Sequence, residues 1–352
     1  MIVLSYKQFL NEKSAILVDV RSPKEFELEP IPGAINIPIL NDEERAAVGT
    51  AYKQVSPEEA KRMGMNYISK KLPDMFEQIN AISKEYKKLV FYCARGGMRS
   101  SSVVSLFSSL GYRCSKLEGG YKGYRQHVSA EIPQLNKGIK YIVLHGRTGI
   151  GKTKVLQRLE EKGYSVLDLE KFADHKGSFY GALCETRVQS QKRFESEVAE
   201  HLRNREYDYF LVESESKRIG NVYVPESIFT SMGEGYHVLL ETSLDHRVEI
   251  IMDDYAKAPV EEMLACTVKL RRYLKEEDVV RYEDMLKNKN FREFSRAIMD
   301  EYYDPLYQKS INKYEFDDTV SYEDLDTAVE GVIGFLEKEK LHSQEEVSED
   351  TE

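Results

Sequence analysis

Short runs of apolar residues alternate with helical patterns along the first third of the chain. Residues 15–20 and 88–92 are each a short β-rich run of the kind that forms a buried strand. Residues 100–110 carry apolar side chains at helical spacing, and Gly111 can end that helix. Residues 88–110 are therefore predicted to form a strand–loop–helix unit, with Cys93 as the first residue of the loop.

A second series of the same kind follows residues 129–138, where Pro, Asn and Gly predict a linker. Residues 139–145 have a strand pattern, and residues 152–162 have a helical pattern with one apolar face. Three further strand patterns follow at residues 164–169, 207–213 and 236–241. Residues 245–310 look almost wholly helical. Strands and helices that alternate in this way are typical of a parallel α/β sheet.

The predicted fold class is therefore α/β with two domains. We expect a parallel-sheet domain at residues 1–128, the linker, and a second α/β domain at residues 139–342 whose C-terminal part is helical. Residues 343–352 are acidic and polar, and we expect them to be disordered. The length of 352 residues agrees with two or three domains of ~100–200 residues each.

The composition excludes several classes of protein. No run of ~18 consecutive apolar residues is present, so a membrane span is excluded. The N-terminus lacks the basic and apolar regions of a secretory signal. Four cysteines are too few and too widely spaced for a disulfide scaffold or a zinc site. The expected location is the reducing cytoplasm, where one well-placed cysteine can act chemically.

The net charge of −10 is unevenly distributed along the chain. Residues 1–138 contain 20 Lys and Arg against 15 Asp and Glu, a net charge of +5, and residues 139–352 contain 30 against 45, a net charge of −15. Residues 84–125 hold nine basic and two acidic residues. This segment could attract phosphates while Tyr121 and Tyr124 stack on bases. The alternative is a solvated basic face with both tyrosines in the core.

The loop after the second strand is rich in glycine and arginine. Gly96 and Gly97 let the backbone curl so that its N–H groups form an anion-binding nest. Arg95, Arg99 and the N-terminus of the following helix add positive charge. At the start of such a loop, Cys93 is expected to have a lowered pKa and to act as a nucleophile that carries a sulfur-family atom or a phosphoryl group. The alternative is a structural cysteine buried at a strand end.

This part of the chain resembles the rhodanese domain in four segments. They are residues 17–26, residues 31–38, Cys93 with its six-residue loop, and residues 117–125, in that order within residues 1–128. The resemblance implies that Cys93 carries a persulfide and that Asp19 and Arg21 form a structural pair. The spacing Cys-x5-Arg also fits cysteine-dependent phosphatases, so a role for Arg99 as a phosphate clamp stays open.

Residues 146–153, Gly-Arg-Thr-Gly-Ile-Gly-Lys-Thr, match the phosphate-binding pattern G-x-x-x-x-G-K-[ST] in full. The pattern stands between a predicted strand and a predicted helix, which is the context that it requires. Backbone amides can surround the phosphates, Lys152 can reach their charge and Thr153 can hold Mg²⁺. The candidate phosphate-binding residues are Gly146, Arg147, Thr148, Gly149, Gly151, Lys152 and Thr153.

Two further segments could complete that site. A predicted strand ends in Glu213, with Glu215 two residues later, and these carboxylates could hold Mg²⁺ or simply be solvated. A polar loop predicted at residues 169–181 carries His175 and Ser178, which could bind the second substrate. His175 could act as an acid or base there, or it could be a surface histidine. The sequence specifies no metal site.

Over residues 1–335 the chain resembles the tRNA 2-selenouridine synthase family. Five segments carry this resemblance: residues 41–50 with 52–54, the Cys93 loop, the phosphate loop, residues 175–178 and residues 213–220. The first segment is not a general rhodanese feature and is the most specific. Ala51 departs from the pattern, because relatives often have a cysteine there that could act as a second thiol.

The resemblance implies a transferase that converts the wobble 2-thiouridine in the anticodon loop of tRNA to 2-selenouridine. Geranyl diphosphate would first give S-geranyl-2-thiouridine, and selenophosphate would then supply selenium, with Cys93 as its carrier. It also implies a rhodanese-like domain followed by a P-loop NTPase-like domain, with no tightly bound cofactor. For the phosphate loop, ATP with Mg²⁺ is the second choice. The alternatives are a rhodanese-type sulfurtransferase fused to a kinase-like ATPase without an RNA partner, and a non-catalytic module in which both loops sense anions.

Overall fold

The structure is a computed structural model that describes residues 1–175, 189–255 and 259–341. Within these ranges the chain divides into two compact units. The first unit comprises residues 1–134 and 190–200, and the second comprises the rest of the described chain. Each unit contains a parallel sheet with helices around it, which confirms the predicted α/β fold class.

The first unit is built on a five-stranded parallel sheet. Its strands are β1 (Ile2–Leu4), β2 (Ala15–Asp19), β3 (Ile35–Asn36), β4 (Lys88–Tyr92) and β5 (Cys114–Leu117). They pair in the order β1-β5-β4-β2-β3, so β4 is the central strand. The helices of this part are α1 (Tyr6–Leu10), α2 (Pro23–Leu28), α3 (Asp42–Gln54), α4 (Pro57–Ile82), α5 (Met98–Ser109) and α6 (Gly120–Leu135).

Burial explains why β4 lies at the centre. Val90, Phe91 and Tyr92 have no exposed surface, as expected for a strand covered on both faces. The helix after it, α5, ends as predicted, because Gly111 has a φ of +90° that suits a residue just past a helix C-terminus. The sequence patterns for β2, β4 and α5 are therefore confirmed.

Asp19 and Arg21 form a buried ion pair at the end of β2. Asp19 has no exposed surface and Arg21 is 3% exposed, and Nε of Arg21 donates to Oδ2 of Asp19 at 2.8 Å. Arg21 also donates to the carbonyl of Glu29 at 2.7 Å, and its guanidinium lies 4.2 Å from the ring centroid of Tyr121. These contacts tie β2 to α2 and α6, which agrees with a structural role.

The second unit is built on a four-stranded parallel sheet among its described residues. Its strands are β6 (Lys140–His145), β7 (Tyr209–Glu213), β10 (Tyr236–Glu241) and β11 (Asp318–Ser321), in the order β11-β10-β6-β7; β8 (Arg218–Ile219) and β9 (Val222–Tyr223) form a separate antiparallel pair. The helices of this part are α7 (Lys152–Glu161), α8 (Leu169–Ala173), α10 (Glu226–Gly233), α11 (Leu244–Tyr255), α12 (Val260–Lys269), α13 (Glu276–Lys287), α14 (Phe291–Ile298), α15 (Asp304–Ile311) and α16 (Leu325–Lys338). Helix α9 (Gln191–Arg203) follows α8 in the chain, but most of it belongs to the first unit. A 3₁₀ turn (Leu270–Arg272) and a π-helical turn (Met299–Tyr303) lie between helices.

Three local expectations are wrong. Residues 129–135 of the predicted linker continue α6, because Val128 and Ile132 are buried at helical spacing. Residues 164–169 form no strand; they contribute one isolated bridge from Val166 to Leu211. Leu169–Ala173 is the short helix α8 rather than a loop, and Asp168 caps it by accepting a hydrogen bond from the backbone N–H of Lys171 at 2.9 Å.

Residues 190–200 belong to the first unit, although the sequence division placed them in the second domain. The physical reason is Arg125, which donates to Oγ of Ser196 at 2.8 Å and pairs with Glu195. Lys192 pairs with Glu29 at 3.1 Å. The acidic tail at residues 343–352 lies outside the described residues. In the described part of the chain, every helix is too short or too polar to cross a membrane.

Candidate functional site

The backbone after β4 curls into a loop that a second turn supports. Cys93 follows β4 directly, and Gly96 has a φ of +62°, a conformation that favours glycine. The backbone N–H of Tyr121 donates to the carbonyl of Cys93 at 2.9 Å. A Cβ at Gly120 would lie 2.1 Å from that carbonyl oxygen and 2.4 Å from the nitrogen of Gly96. The turn at residues 119–120 can therefore approach the cysteine loop only because glycine occupies it.

The thiol of Cys93 is buried against the first turn of α5. The residue is 3% exposed, and its Sγ lies 3.3 Å from Oγ of Ser100. Burial alone would raise the pKa of the thiol. Hydrogen bonds from the Ser100 side chain and from the backbone N–H groups of Ser100 and Arg95, together with the charge of Arg99, lower the pKa by more than burial raises it. The net effect is a lowered pKa, which enlarges the fraction of thiolate, the nucleophilic form.

The two arginines of the loop differ in their surroundings. Arg95 is exposed, whereas Arg99 pairs with Glu25, with 2.8 Å between Nη1 and Oε2. Burial raises the pKa of Glu25, but Arg99 and the smaller effects of Ser22 and Arg45 lower it overall. Arg45 lies on α3, within the most specific of the five segments, and its Nε is 3.4 Å from Oε2 of Glu25. That segment therefore reaches the cysteine loop through Glu25.

A basic cavity of about 460 Å³ lies beside the cysteine loop within the first unit. Ala94, Arg95 and Lys122 line it, with Arg21, Glu25, Leu28, Glu29, Tyr121, Arg125 and Lys192 around them. Tyr121 is 6% exposed and Tyr124 is 1% exposed. Both tyrosines therefore pack in the core, as the alternative interpretation of this segment predicted.

The phosphate loop between β6 and α7 depends on glycine at two positions. Gly149 and Gly151 have φ values of +77° and +78°. A Cβ at Gly149 would lie 2.9 Å from Cδ1 of Ile251 and 3.0 Å from Cε of Met299. The curled backbone is therefore packed closely against α11 and the turn after α14, which holds it in the shape that surrounds an anion.

A buried arginine fastens this loop to α15. Arg247 is 2% exposed; its guanidinium donates to both carboxylate oxygens of Asp304 at 2.8 and 2.6 Å and to the carbonyl of Thr148 at 3.2 Å. Arg147 of the loop also turns towards α15, because it donates to Oε1 of Gln308 at 2.6 Å. Arg147 is thus engaged with α15 in this structure.

Lys152, Thr153 and Glu213 converge at the amino end of α7. The Thr153 hydroxyl donates to Oε1 of Glu213 at 2.6 Å, and Nζ of Lys152 lies 3.7 Å from Oε2 of the same carboxylate. Burial lowers the pKa of Lys152, but the charges of Glu213 and other neighbours raise it overall. Lys152 is therefore a cation at neutral pH, placed beside the phosphate loop.

Three carboxylates meet next to this lysine. Oxygen atoms of Glu170, Glu213 and Glu215 all lie within 4.8 Å of one another. Burial raises the pKa of Glu213, and burial together with the charge of Glu213 raises the pKa of Glu215 to about 7. Carboxylate oxygens and a threonine hydroxyl are ligands that suit Mg²⁺. The residues present therefore fit a magnesium ion beside the phosphate loop.

His175 and the segment at residues 213–220 meet at a close contact. The backbone N–H of His175 donates to the carbonyl of Glu170 at 3.1 Å. A Cβ at Gly220, which has a φ of +54°, would lie 2.7 Å from Cδ2 of the His175 ring. Gly220 therefore lets the ring approach the chain after β7. Ser178 lies outside the described residues.

Four residues of these sites were not singled out from the sequence. Ser100 and Glu25 act on the cysteine loop, and Glu170 joins Glu213 and Glu215. Tyr307 on α15 lies near the phosphate loop: burial raises its pKa, and the charge of Lys152 acts against this. Ser100 lies in the serine-rich start of α5, and Glu25 and Glu170 lie within segments 17–26 and 169–181, which the sequence indicated without pointing to these two residues. Tyr307 gave no sequence signal.

Comparison with known proteins identifies both units. The model of the rhodanese-like domain matches residues 4–127, and the model of the tRNA 2-selenouridine synthase AAA domain matches residues 139–277. A crystal structure of the N-terminal domain of a Clostridium difficile 630 protein is 44% identical, covers 36% of this chain and 98% of that chain, and has a TM-score of 0.35.

Two curated relatives share the name tRNA 2-selenouridine synthase. The tRNA 2-selenouridine synthase of Nitrosomonas eutropha is 37% identical over 69% of this chain, and the match spans 63% of that relative's length. The synthase of Hydrogenovibrio crunogenus is 33% identical over 86% of this chain and 90% of the relative. With two matching domains in the same order and a relative matched over nine-tenths of its length, the chain belongs to the tRNA 2-selenouridine synthase family.

Proposed function

We propose that this protein replaces sulfur by selenium in the 2-thiouridine of tRNA, as a transferase that uses geranyl diphosphate and then selenophosphate. The observation that carries the proposal is the presence of two chemically different loops in one member of this family. One loop holds a thiol with a lowered pKa. The other is a phosphate loop beside a cationic lysine and three carboxylates.

The first step uses the phosphate loop. The 2-thio sulfur attacks the geranyl carbon that bears the diphosphate; the carbon–sulfur bond forms, the carbon–oxygen bond breaks, and the electron pair leaves with diphosphate. Lys152 and the loop amides oppose the charge that develops on this leaving group. Thr153, Glu170, Glu213 and Glu215 would hold Mg²⁺, which supplies further positive charge to a diphosphate when bound.

The second step uses the cysteine loop. We propose that Cys93 carries the incoming selenium: its thiolate attacks selenium of selenophosphate, the sulfur–selenium bond forms, and the selenium–phosphorus bond breaks with its electron pair on phosphorus, which leaves as phosphite. The outer selenium then attacks C2 of the base, the carbon–selenium bond forms, the carbon–sulfur bond breaks, and geranyl thiol leaves. A thiol reductant breaks the remaining sulfur–selenium bond, which releases selenouridine and restores the Cys93 thiol. The donor and the loaded carrier are both anionic. Backbone N–H groups of the loop and the charge of Arg99 favour such anions, for the same reason that they lower the pKa of the thiol.

The proposed macromolecular partner is the anticodon loop of a tRNA that carries 2-thiouridine. RNA recognition of this kind targets unpaired bases and draws its affinity from phosphate contacts. Residues 1–138 have a net charge of +5, and Arg95 and Lys122 line the cavity beside the cysteine loop. These charges support binding of tRNA at the first unit.

A reconstituted reaction tests the proposal. The full chain is incubated with 2-thiouridine tRNA, geranyl diphosphate, selenophosphate and Mg²⁺, and the nucleosides are analysed by mass spectrometry. We expect S-geranyl-2-thiouridine without the selenium donor and 2-selenouridine with it. Mass analysis of the protein should also show selenium on Cys93, which its isotope pattern distinguishes from a phosphoryl adduct.

Other outcomes would reject the proposal. No geranylated or selenated nucleoside in either arm excludes the tRNA reaction. Sulfur loading of Cys93 from thiosulfate together with ATP turnover, and no tRNA retained on a filter, would instead indicate a sulfurtransferase fused to an ATPase. A parallel arm with ATP in place of geranyl diphosphate separates the two assignments of the phosphate loop.

A further inference from the structure

A second cavity, of about 380 Å³, opens beside the phosphate loop within the second unit. His145 and Gly146, where β6 passes into the loop, line it together with residues 214–216 after β7. Tyr307, the tyrosine near Lys152, lines the cavity as well. A ligand whose phosphates lie in the loop can therefore extend directly into this space.

Part of the cavity wall is apolar. Phe229 and Met232 of α10 and Leu306 and Ile311 of α15 contribute apolar side chains to it. Among the described lining residues, Glu215 alone has a carboxylate, and it lies in the segment after β7. Leu306 is 48% exposed, so the wall presents apolar surface to solvent that a ligand could cover. Covering such surface is favourable because it removes apolar area from water.

Two histidines and a tyrosine form a polar part of the cavity wall. Nε2 of His145 lies 2.8 Å from Nδ1 of His237, and the ring of Tyr314 packs on both histidines, with centroids 4.5 and 4.7 Å away. Burial and the charges of His237 and Lys152 lower the pKa of His145 to about 3. His145 is therefore neutral at physiological pH, and its Nε2 hydrogen-bonds to His237.

We infer that this cavity binds the apolar chain of the prenyl diphosphate whose diphosphate lies in the phosphate loop. The inference rests on the proposed function and adds the place of the chain to it. A volume of about 380 Å³ is near the lower end of the ~300–1,000 Å³ that small-molecule sites span. The cavity should therefore accept a short prenyl chain, and a longer chain should add little to the binding affinity.

Binding of a chain-length series to the full protein tests this inference. Calorimetry in Mg²⁺ compares pyrophosphate with dimethylallyl, geranyl and farnesyl diphosphate. We expect geranyl diphosphate to bind at least about tenfold more tightly than pyrophosphate, dimethylallyl diphosphate to fall between them, and farnesyl diphosphate to show no further gain. A charge placed in the apolar wall by Leu306→Asp should abolish the advantage of geranyl diphosphate and leave pyrophosphate binding within about twofold.

Leu110→Asp is the matched control, because Leu110 is a similarly exposed leucine, 54% against 48%, far from this cavity in the chain. It should retain the full preference for geranyl diphosphate. Ile311→Asp is a second variant with the expected behaviour of Leu306→Asp. The inference is overturned if the wild-type protein shows no preference for the prenyl chain, if both wall variants keep that preference, or if they weaken pyrophosphate binding instead.

The tRNA assay separates this inference from the proposed function. Chain-dependent binding without any geranylated nucleoside would reject the tRNA reaction and leave the cavity assignment standing. Geranylation by Leu306→Asp with an unchanged KM for geranyl diphosphate would reject the cavity assignment and leave the tRNA reaction standing.

Discussion

At the scale of single residues, Ser100 has the most direct influence on the proposed carrier. Its hydroxyl lies 3.3 Å from Sγ of Cys93, and its backbone N–H adds a second hydrogen bond that lowers the pKa of the thiol. A hydrogen bond to a charged group contributes about 1.5–3 kcal/mol. That is enough to move a pKa by about one unit.

Ser100→Ala is therefore expected to raise the pKa of Cys93. Because the thiolate is the reactive form, and a higher pKa means less thiolate at a given pH, the pH profile of Cys93 alkylation should move to higher pH by about one unit. Ser102→Ala is the control, since Ser102 lies on the same helix and its hydroxyl donates to the carbonyl of Arg99 at 3.0 Å. An unshifted profile in Ser100→Ala would show that the hydroxyl does not stabilise the thiolate.

Glu170 allows a second residue-scale prediction. Its carboxylate completes the group with Glu213 and Glu215, so Glu170→Gln removes one negative charge from the set that would hold Mg²⁺. We expect the Mg²⁺ concentration needed for pyrophosphate binding to rise at least about tenfold. Glu161→Gln, at an exposed position of α7, should leave it unchanged. Equal Mg²⁺ dependence in both variants would contradict a metal role for Glu170.

At the scale of elements, the turn before α6 shapes the cysteine loop. Gly120→Ala would strain a residue with a φ of +58° and would also place a Cβ 2.1 Å from the carbonyl oxygen of Cys93. The strain costs about 1–3 kcal/mol, and the overlap adds about 1–3 kcal/mol. We expect lower stability in urea and slower alkylation of Cys93.

Gly111→Ala separates these two effects. Gly111 has a φ of +90°, but a Cβ there would meet nothing within 4 Å. This variant should lose about 1–3 kcal/mol through strain alone and keep the normal alkylation rate. Alkylation at the wild-type rate in Gly120→Ala would mean that the turn does not hold the loop.

Elements with a strong local pattern were predictable from the sequence. The runs that became β2, β4 and β6 are continuous and apolar, and α5 and α7 have clear apolar faces. Residues 164–169 have a similar composition but pair only through Val166. Strand β11, Asp-Thr-Val-Ser, buries one residue and exists because β10 pairs with it. Whether each segment forms a strand depends on pairing with a neighbouring strand, and the local sequence pattern does not encode that pairing.

The candidate sites show the same limit. The glycines, Lys152 and Thr153 follow from one contiguous motif, so the sequence could indicate the phosphate loop directly. Glu170 precedes Glu213 by more than forty residues, and Glu25 precedes Arg99 by more than seventy. These contacts depend on which elements pack against each other in the fold, and a local sequence pattern does not predict that packing.

At the scale of the whole molecule, one structural solution occurs twice. In each unit an interior strand of a parallel sheet ends in a glycine-containing loop, and a helix begins after it: β4 leads to the Cys93 loop and α5, and β6 leads to the phosphate loop and α7. Backbone N–H groups and the helix N-terminus favour an anion at both places. The side chain that each loop adds, a thiol or an ammonium group, distinguishes their chemistry.

If the two loops perform separate steps, their variants should fail at different stages. Cys93→Ala should still geranylate 2-thiouridine tRNA but form no selenouridine, because only the carrier is lost. Lys152→Ala should geranylate at least roughly 10²-fold more slowly, because it lacks the buried cation of the phosphate loop. Nucleoside mass spectrometry of single-turnover reactions measures both products.

The decisive control supplies Lys152→Ala with S-geranyl tRNA made by Cys93→Ala. Selenouridine should form from this tRNA with selenophosphate, since the missing lysine serves only the first step. Failure of that reaction in a protein with normal thermal unfolding, or loss of geranylation in Cys93→Ala, would show that the two loops do not divide the chemistry in this way.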